Sequence, residues 1–265
     1  MSYTKQQLLK DLHTLGVREG DTVLMHSSYK SLGEIEGGAK IFFEAFLEVL
    51  GSTGTLVLPT LSYESVTRVN PVFDRALSPS CVGYLSEYFR TSVAGVIRSL
   101  HPTHSCCAVG RLAEELTREH ELDMTPVGAH SPFAKLPLIG GKILMLGCNP
   151  ARNTSLHGVE ETVEGLPYGI NRDVPVHYVL HDGETTIHQE VAYRHDFHPV
   201  GVGNIEQRYD RIIDLLDESE ISHRRVLDAD CYLMDARALW KKGREAMLKD
   251  AYHFVNHPAD PKNQK

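Results

Sequence analysis

Four segments follow one another near the start of the chain: the run Thr22-Val23-Leu24-Met25-His26, a turn marked by Gly33 and Gly37-Gly38, the stretch Ala39 to Leu50, and the run Thr55-Leu56-Val57-Leu58-Pro59. Short, continuously apolar runs suit strands buried on both faces. Between them Ile41, Phe42, Ala45, Phe46 and Leu50 recur at helical spacing. Strand, glycine-containing turn, helix and strand make a βαβ unit, which leaves a parallel sheet flanked by helices as the natural fold.

The same alternation runs through most of the sequence. Thr4 with Gln7 is a capping-box signal, and Leu8, Leu12 and Leu15 then share one helical face until Gly16. Val82 to Arg90 and Arg111 to His120 read as helices, Ser105 to Val109 and Lys142 to Leu146 as strands. Between Val176 and Tyr193 the pattern changes, because His181-Asp182-Gly183-Glu184 separates two β-rich arms of an antiparallel hairpin. Ile205 to Leu216 and Ala236 to Ala251 read as helices around a short strand, Cys231 to Met234. Without repeat, low-complexity segment or linker, residues 1–265 read as a single α/β domain: a largely parallel central sheet flanked by helices, plus a C-terminal antiparallel hairpin. Pro258, Pro261 and the polar end read as a frayed tail.

Charge and cysteine usage narrow the function classes. A net charge of −8 disfavours nucleic acid; it either favours a cationic small molecule or simply keeps the protein in solution. Five cysteines, with Cys106 and Cys107 adjacent and no C-x-x-C pair, point to a reducing cytoplasm rather than a disulfide framework. No run approaches the roughly 18 consecutive apolar residues of a membrane helix, and the first residues lack an apolar signal region, so neither membrane insertion nor secretion is expected.

Three stretches carry chemistry. His26-Ser27-Ser28-Tyr29-Lys30-Ser31-Leu32-Gly33 is a hydroxyl-rich turn between a strand end and a helix, open to two readings: an ordinary polar turn, or a cradle of N–H groups and hydroxyls for a phosphate. Arg98-Ser99-Leu100-His101-Pro102-Thr103-His104-Ser105 gathers one arginine and two histidines on a loop, an anion-contacting segment or plain surface histidines. The two histidines also invite zinc, but no H-E-x-x-H or paired-cysteine spacing supplies the remaining ligands, and no metal is expected. Asn153-Thr154-Ser155-Leu156-His157-Gly158-Val159-Glu160-Glu161 follows a buried strand. Asn153 or Thr154 can cap a helix that places His157 one turn before Glu160 and Glu161, which is either a surface ion pair or an oriented general base.

All three occur in one chain in the order seen in the aminoglycoside 3-N-acetyltransferases, together with Leu15-Gly16-Val17, Gly20-Asp21, Gly54 to Pro59, Ser131-Pro132, Gly141 to Gly147 and Pro167-Tyr168. The sequence resembles that family over roughly residues 4 to 200. The resemblance implies an antibiotic N-acetyltransferase fold peculiar to the family and direct acetyl transfer from acetyl-CoA to the 3-amine of a 2-deoxystreptamine aminoglycoside, which confers antibiotic resistance. It implies coenzyme A contacts from His26, Ser27, Ser28, Ser31, Leu32 and Gly33 and from Arg98, Ser99, His104 and Ser105.

By the same resemblance His157 is the catalytic base, supported by Glu160, with Thr154 or the main-chain N–H groups beside it receiving the oxyanion. An imidazole, whose ordinary pKa is about 6.5, suits the removal of a proton from an attacking amine near neutral pH. Drug contacts are implied for Glu64, His130, Glu161 and Asp196, with Asp196 also placed to support the histidine. Where the family often has a further carboxylate, Tyr193-Arg194-His195-Asp196-Phe197-His198 carries Arg194, which leaves room for a different amine acceptor. A silent binding protein on the same scaffold and a zinc hydrolase are the remaining alternatives. The expected state is a monomer or homodimer.

Overall fold

In the computed structural model, residues 2–197 and 205–257 are described; the tail from Pro258 and His198 lie outside them. In chain order the elements are α1 (Lys5–Leu15), β1 (Thr22–Ser27), α2 (Gly38–Leu50), β2 (Thr55–Pro59), β3 (Val72–Asp74), α3 (Tyr84–Ser92), β4 (Ile97–Arg98) and β5 (Cys106–Gly110). There follow α4 (Ala113–Thr117), α5 (Pro132–Lys135), β6 (Lys142–Leu146), α6 (Ser155–Glu161), β7 (Gly169–Asp182), β8 (Thr185–Asp196), β9 (Glu206–Gln207), β10 (Ile221–Val226), β11 (Ala229–Asp235), α7 (Ala236–Lys249) and β12 (Val255–Asn256).

The main sheet has seven strands in the order β10-β11-β6-β1-β2-β5-β4. The parallel pairing expected from the βαβ alternation sits at its centre, where β1 lies between β6 and β2; the pairings outside these three strands are antiparallel. Alternate residues of the central strands enter two cores. Val23, Met25, Leu56, Leu58, Leu144 and Leu146 meet Leu8, Leu12, Phe42, Phe43, Phe46 and Phe89 from the helices on one face. Leu24, Val57, Ile143 and Met145 meet Phe133, Leu136, Leu156, Val159, Leu239 and Phe254 on the other. Burial on both faces is why these strands read as unbroken apolar runs.

The first helix begins as its sequence requires, with Thr4 Oγ1 accepting from Gln7 N and the Gln7 side chain returning to Thr4 N, and it stops at Gly16, whose φ of 113° suits glycine. The hairpin is longer than expected, β7 and β8 running from Gly169 to Asp196 around a two-residue turn, and β3 adds a parallel third strand. Two helical expectations are corrected. The stretch Arg111 to His120 is helical only through Thr117, after which Glu119 takes a φ of 65° and a short 3-10 turn follows. Ile205 to Leu216 is a 3-10 segment from Tyr209 to Leu215, because the preceding Glu206–Gln207 is drawn into pairing with β12 and the Arg208 N–H bonds to Phe254 O. Strand β10, hidden in Ile221–Val226 by its polar residues, is an outer strand of the sheet. No helix among the described residues is long and apolar enough to cross a membrane.

Two buried polar features brace the sheet's active end. Arg98, 4% exposed, donates from Nε to Ser105 Oγ at 3.0 Å, from Nη1 to the carbonyls of Arg75 and Ser78 at 3.1 and 2.6 Å, and from Nη2 to Thr60 O and Ser62 Oγ at 2.9 and 2.8 Å. Its guanidinium also lies 4.8 Å from the centre of the Phe73 ring. Beside it the 99–105 loop folds inward: His101 Nδ1 accepts from the main-chain N–H of His104 at 2.9 Å, Ser99 Oγ meets His120 Nδ1 at 2.9 Å, and the His101 and His120 rings stack at 4.6 Å.

Replacing Arg98 by Ala strands several buried carbonyls at once, so urea denaturation should show a loss of at least about 2 kcal/mol with an unchanged denaturant slope; parental stability would contradict this bracing role. Burial pushes His26 and His101 down to about 3, and His104 and His120 well below the usual histidine range. The unfolded chain binds these protons near the ordinary value of about 6.5, so the stability contributed is complete above that pH and is lost as pH falls toward the folded values. Glu161, raised by burial to about 7, and Asp123, also raised by burial, oppose this, but as two groups against five once His195, likewise held well below the usual range, is counted. Between about pH 7.5 and pH 5, Tm should therefore fall; a flat or rising Tm would mean that the rings are solvated.

Candidate active site

The parallel strands β6, β1 and β2 end together, and their carboxyl ends floor a cavity of about 510 Å³. Clefts at the carboxyl ends of parallel strands are the usual ligand sites of such sheets. Met25, His26 and Ser27 come from β1, Pro59 from the end of β2 and Cys148 from beyond β6. Thr103 and His104 enter from the inward-folded loop, Thr154 and His157 from the start of α6, Arg194, His195 and Phe197 from the end of the hairpin, and Gln207 and Tyr209 from the segment after it.

His157 is held by groups brought from four elements, its own helix α6, β8, β9 and the 3-10 segment after it. Asn153 Oδ1 accepts from Ser155 N at 3.1 Å at the start of α6, so the ring leaves the first turn of that helix toward the cavity. Its Nδ1 lies 2.6 Å from His195 Nδ1, 2.9 Å from the Tyr209 hydroxyl and 3.3 Å from Glu160 Oε2. The Tyr209 hydroxyl donates to Glu160 Oε2 at 2.7 Å. Gln207 Nε2 lies 3.3 Å from His157 Nε2 and donates to the Tyr209 hydroxyl at 3.2 Å. On the far side His195 Nε2 meets Glu161 Oε1 at 2.9 Å, an oxygen that also accepts from Val127 N at 3.0 Å.

Dehydration sets the charge states around this network. Burial holds His195 and His104 well below the usual histidine range, both further lowered by His157, so both rings are neutral near pH 7. Burial pushes Glu161 up to about 7. The two thiols at the cavity are also driven up by burial, Cys148 to about 12, which keeps them protonated and weakly nucleophilic.

The structure distributes the residues expected from sequence unevenly. His26, Ser27, His104, Thr154 and His157 meet at the cavity, and Glu160 stands behind the histidine. Ser28, Ser31, Leu32 and Gly33 do not line it. Ser31 Oγ instead ties the loop to Ser28 Oγ and to Gly147 O, at 2.8 and 2.9 Å, and Leu32 is core. Arg98, Ser99 and Ser105 are interior bracing, their polar atoms turned to the protein itself. Glu161 faces His195 and a separate cavity of about 220 Å³. Asp196 borders a third hollow and accepts from Asn171 Nδ2 at 3.4 Å. His130 is engaged by Asp123 at 2.8 Å outside the main cavity, and Glu64 is an exposed neighbour of the cavity residue Tyr63.

Sequence reasoning assigned no role to His195, Gln207 or Tyr209. His195 was readable only through strand alternation, which sends it to the face opposite Arg194 and Asp196. Nothing local marks Gln207 and Tyr209, which reach the site through the pairing of β9 with β12.

The same groups come close enough together to be considered for a metal ion, but the two Nδ1 atoms stand too near each other to share one. His157, Glu160 and His195 each place a donor atom within 4.8 Å of the others. Two imidazole nitrogens on one tetrahedral zinc ion stand about 3.4 Å apart, whereas the two Nδ1 atoms are at 2.6 Å, a separation suited to a shared proton. The other histidine pair, His101 and His104, fits no better, since His101 Nδ1 is taken by main-chain N–H groups.

The chain is similar to known proteins over most of its length. The family model described as aminoglycoside 3-N-acetyltransferase matches residues 24–248. An aminoglycoside N(3)-acetyltransferase III from Salmonella sp is 34% identical over 177 residues, 61% of this chain and 62% of that protein, so the match spans about three fifths of that relative's length. An aminoglycoside N(3)-acetyltransferase IV from Salmonella sp is 30% identical over 251 residues, 93% of this chain and 90% of the relative. Among solved structures, AAC-IIIb in a binary complex with CoASH superposes with a TM-score of 0.80 at 26% identity, covering 94% of this chain and 97% of that one. A histidine-to-alanine mutant of AAC(3)-IVa in complex with a gentamicin gives 0.79 at 28%, covering 96% and 92%. The chain belongs to the aminoglycoside 3-N-acetyltransferase family.

Proposed function

We propose that this protein is an acetyl-CoA-dependent N-acetyltransferase that acetylates the 3-amine of 2-deoxystreptamine aminoglycosides directly, with His157 as general base. The observation that carries the reading is the His157 ring itself, standing at the cavity with Nδ1 tied to Glu160, Tyr209 and His195. In the reaction the neutral amine attacks the thioester carbonyl carbon while its proton passes to His157 Nε2. Collapse of the tetrahedral intermediate breaks the carbon–sulfur bond, and the departing thiolate recovers the proton from the imidazolium.

Two further residues suit this chemistry. Thr154 makes no side-chain cap for its own helix, so its hydroxyl is available to the oxyanion. His26 Nε2 is buried without a partner among the described residues beside the cavity, a polar atom that a bound coenzyme A can satisfy, and Ser27 flanks it. The coenzyme would lie against the turn after β1, at the carboxyl ends of the central strands.

A second reading, the same transfer to a different amine, is favoured by the charge of the cavity. Among the described residues that line it, Arg152 and Arg194 are the formally charged ones and no carboxylate appears. A polycationic drug gains less there than in an acid-lined cleft.

With acetyl-CoA and gentamicin or sisomicin, thiol release is expected, and NMR of the product should place the acetyl group on the 3-amine. Turnover with simpler anionic amines but with neither drug would select the second reading. Replacing His157 by Ala should lower kcat by roughly 10² to 10⁴ with ligand binding and Tm retained. A defect confined to KM would instead indicate uniform binding. Glu160→Gln should cost less, because Tyr209 and His195 still hold the ring; equal losses in the two variants would contradict that ranking.

A further inference from the structure

His157 Nδ1 has more partners than one nitrogen can serve in both directions, and the proton count of those partners selects its state. Val127 N–H donates to Glu161 Oε1, and when Glu161 is ionised that oxygen also accepts from the His195 nitrogen facing it, Nε2, which then carries the ring's proton. His195 is buried and neutral, so its other nitrogen, Nδ1, has a lone pair, and that lone pair is 2.6 Å from His157 Nδ1. The Tyr209 hydroxyl gives its single proton to Glu160 and can only accept at its remaining positions. Every group around His157 Nδ1 is thus an acceptor. At the opposite end of the ring, among the described residues, Gln207 Nε2, a donor, stands 3.3 Å from Nε2. These proton assignments follow from the bonding network as a whole.

We propose that His195, oriented by Glu161, is a positioning residue that fixes His157 in the tautomer with its proton on Nδ1, leaving the Nε2 lone pair, met by Gln207 Nε2 in the free protein, for the attacking amine. The proposal deepens the acetyltransfer reading and rests on it for the role of His157 as base; the tautomer itself does not. Glu160 alone serves less well, since its contact to Nδ1 is the longest of the three and its Oε2 already takes the Tyr209 proton. His195 offers the shortest contact, and Glu161, itself anchored by Val127, removes the alternative tautomer of His195. The working nitrogen of a histidine is set by the partner on its other nitrogen, and for metal-bound histidines removal of that partner costs about 10- to 100-fold, the scale expected for His157.

The test uses two near-isosteric variants. In His195→Asn the side-chain oxygen reaches the place of Nδ1 and can accept from His157; in His195→Gln the amide reaches the place of Nε2 and Glu161 but presents nothing at Nδ1. Long-range proton–nitrogen NMR of the full-length protein labelled with ¹⁵N-histidine, with the His157 signal identified from its loss in His157→Ala, reads the tautomer without substrate. The single Nδ1–H form is expected in the parent and in the Asn variant and lost in the Gln variant. With acetyl-CoA and sisomicin, kcat should fall about 10- to 100-fold in the Gln variant at unchanged KM, and the Asn variant should stay within about threefold of the parent.

The proposal is overturned if the Gln variant, with a parental Tm, keeps the Nδ1–H form or parental kcat, or if Asn and Gln variants behave alike. If the parent turns over no drug, or His157→Ala remains active, the acetyltransfer reading has failed, and the NMR comparison still decides the role of His195.

Discussion

Everything about the site depends on the three central strands, β6, β1 and β2, being buried on both faces. Because Val23, Met25, Leu56, Leu58, Leu144 and Leu146 pack one way and Leu24, Val57, Ile143 and Met145 the other, their parallel register is fixed by two cores at once. A one-residue slip in any of them would exchange the two sets of side chains. That constraint brings Ser27, Pro59 and the segment after Leu146 to one edge, and the cavity forms there.

The second determinant is how little water reaches that edge. The imidazoles of His26, His101, His104, His120 and His195 are held neutral by burial, and the carboxyl of Glu161 is held near neutrality. Hydrogen bonds in such surroundings have direction as well as strength, because unsatisfied atoms have no solvent to turn to. His157 inherits its orientation from that network. The same dryness leaves Cys81 and Cys148 as protonated thiols, which favours direct transfer over an acetyl-cysteine intermediate.

Local sequence carried much of this and missed a definable remainder. The capped helix at Thr4, the βαβ unit and the strand leading to His157 and Glu160 were readable because their signals lie within a few residues of one another. Arg98 was misplaced because its acceptors come from residues 60, 62, 75, 78 and 105, which only the folded chain assembles. The contact of His195 with His157 spans 38 positions and that of Tyr209 with His157 spans 52, and neither leaves a local pattern. The segment Ile205 to Leu216 has apolar spacing suggestive of a helix, but pairing with Val255 and Asn256 claims its start. Its contribution to the site, Gln207 and Tyr209, was lost with it.

The central claim is that the acetyl group passes straight to the amine while His157 handles only the proton. The most direct test is intact-mass measurement of the protein after incubation with acetyl-CoA alone, followed by addition of gentamicin to the same sample. Direct transfer predicts an unmodified protein throughout, with coenzyme A released only once the amine is present. An acetyl adduct that forms on Cys81, Cys148 or His157 without acceptor, and disappears as acetylated gentamicin appears, would contradict it.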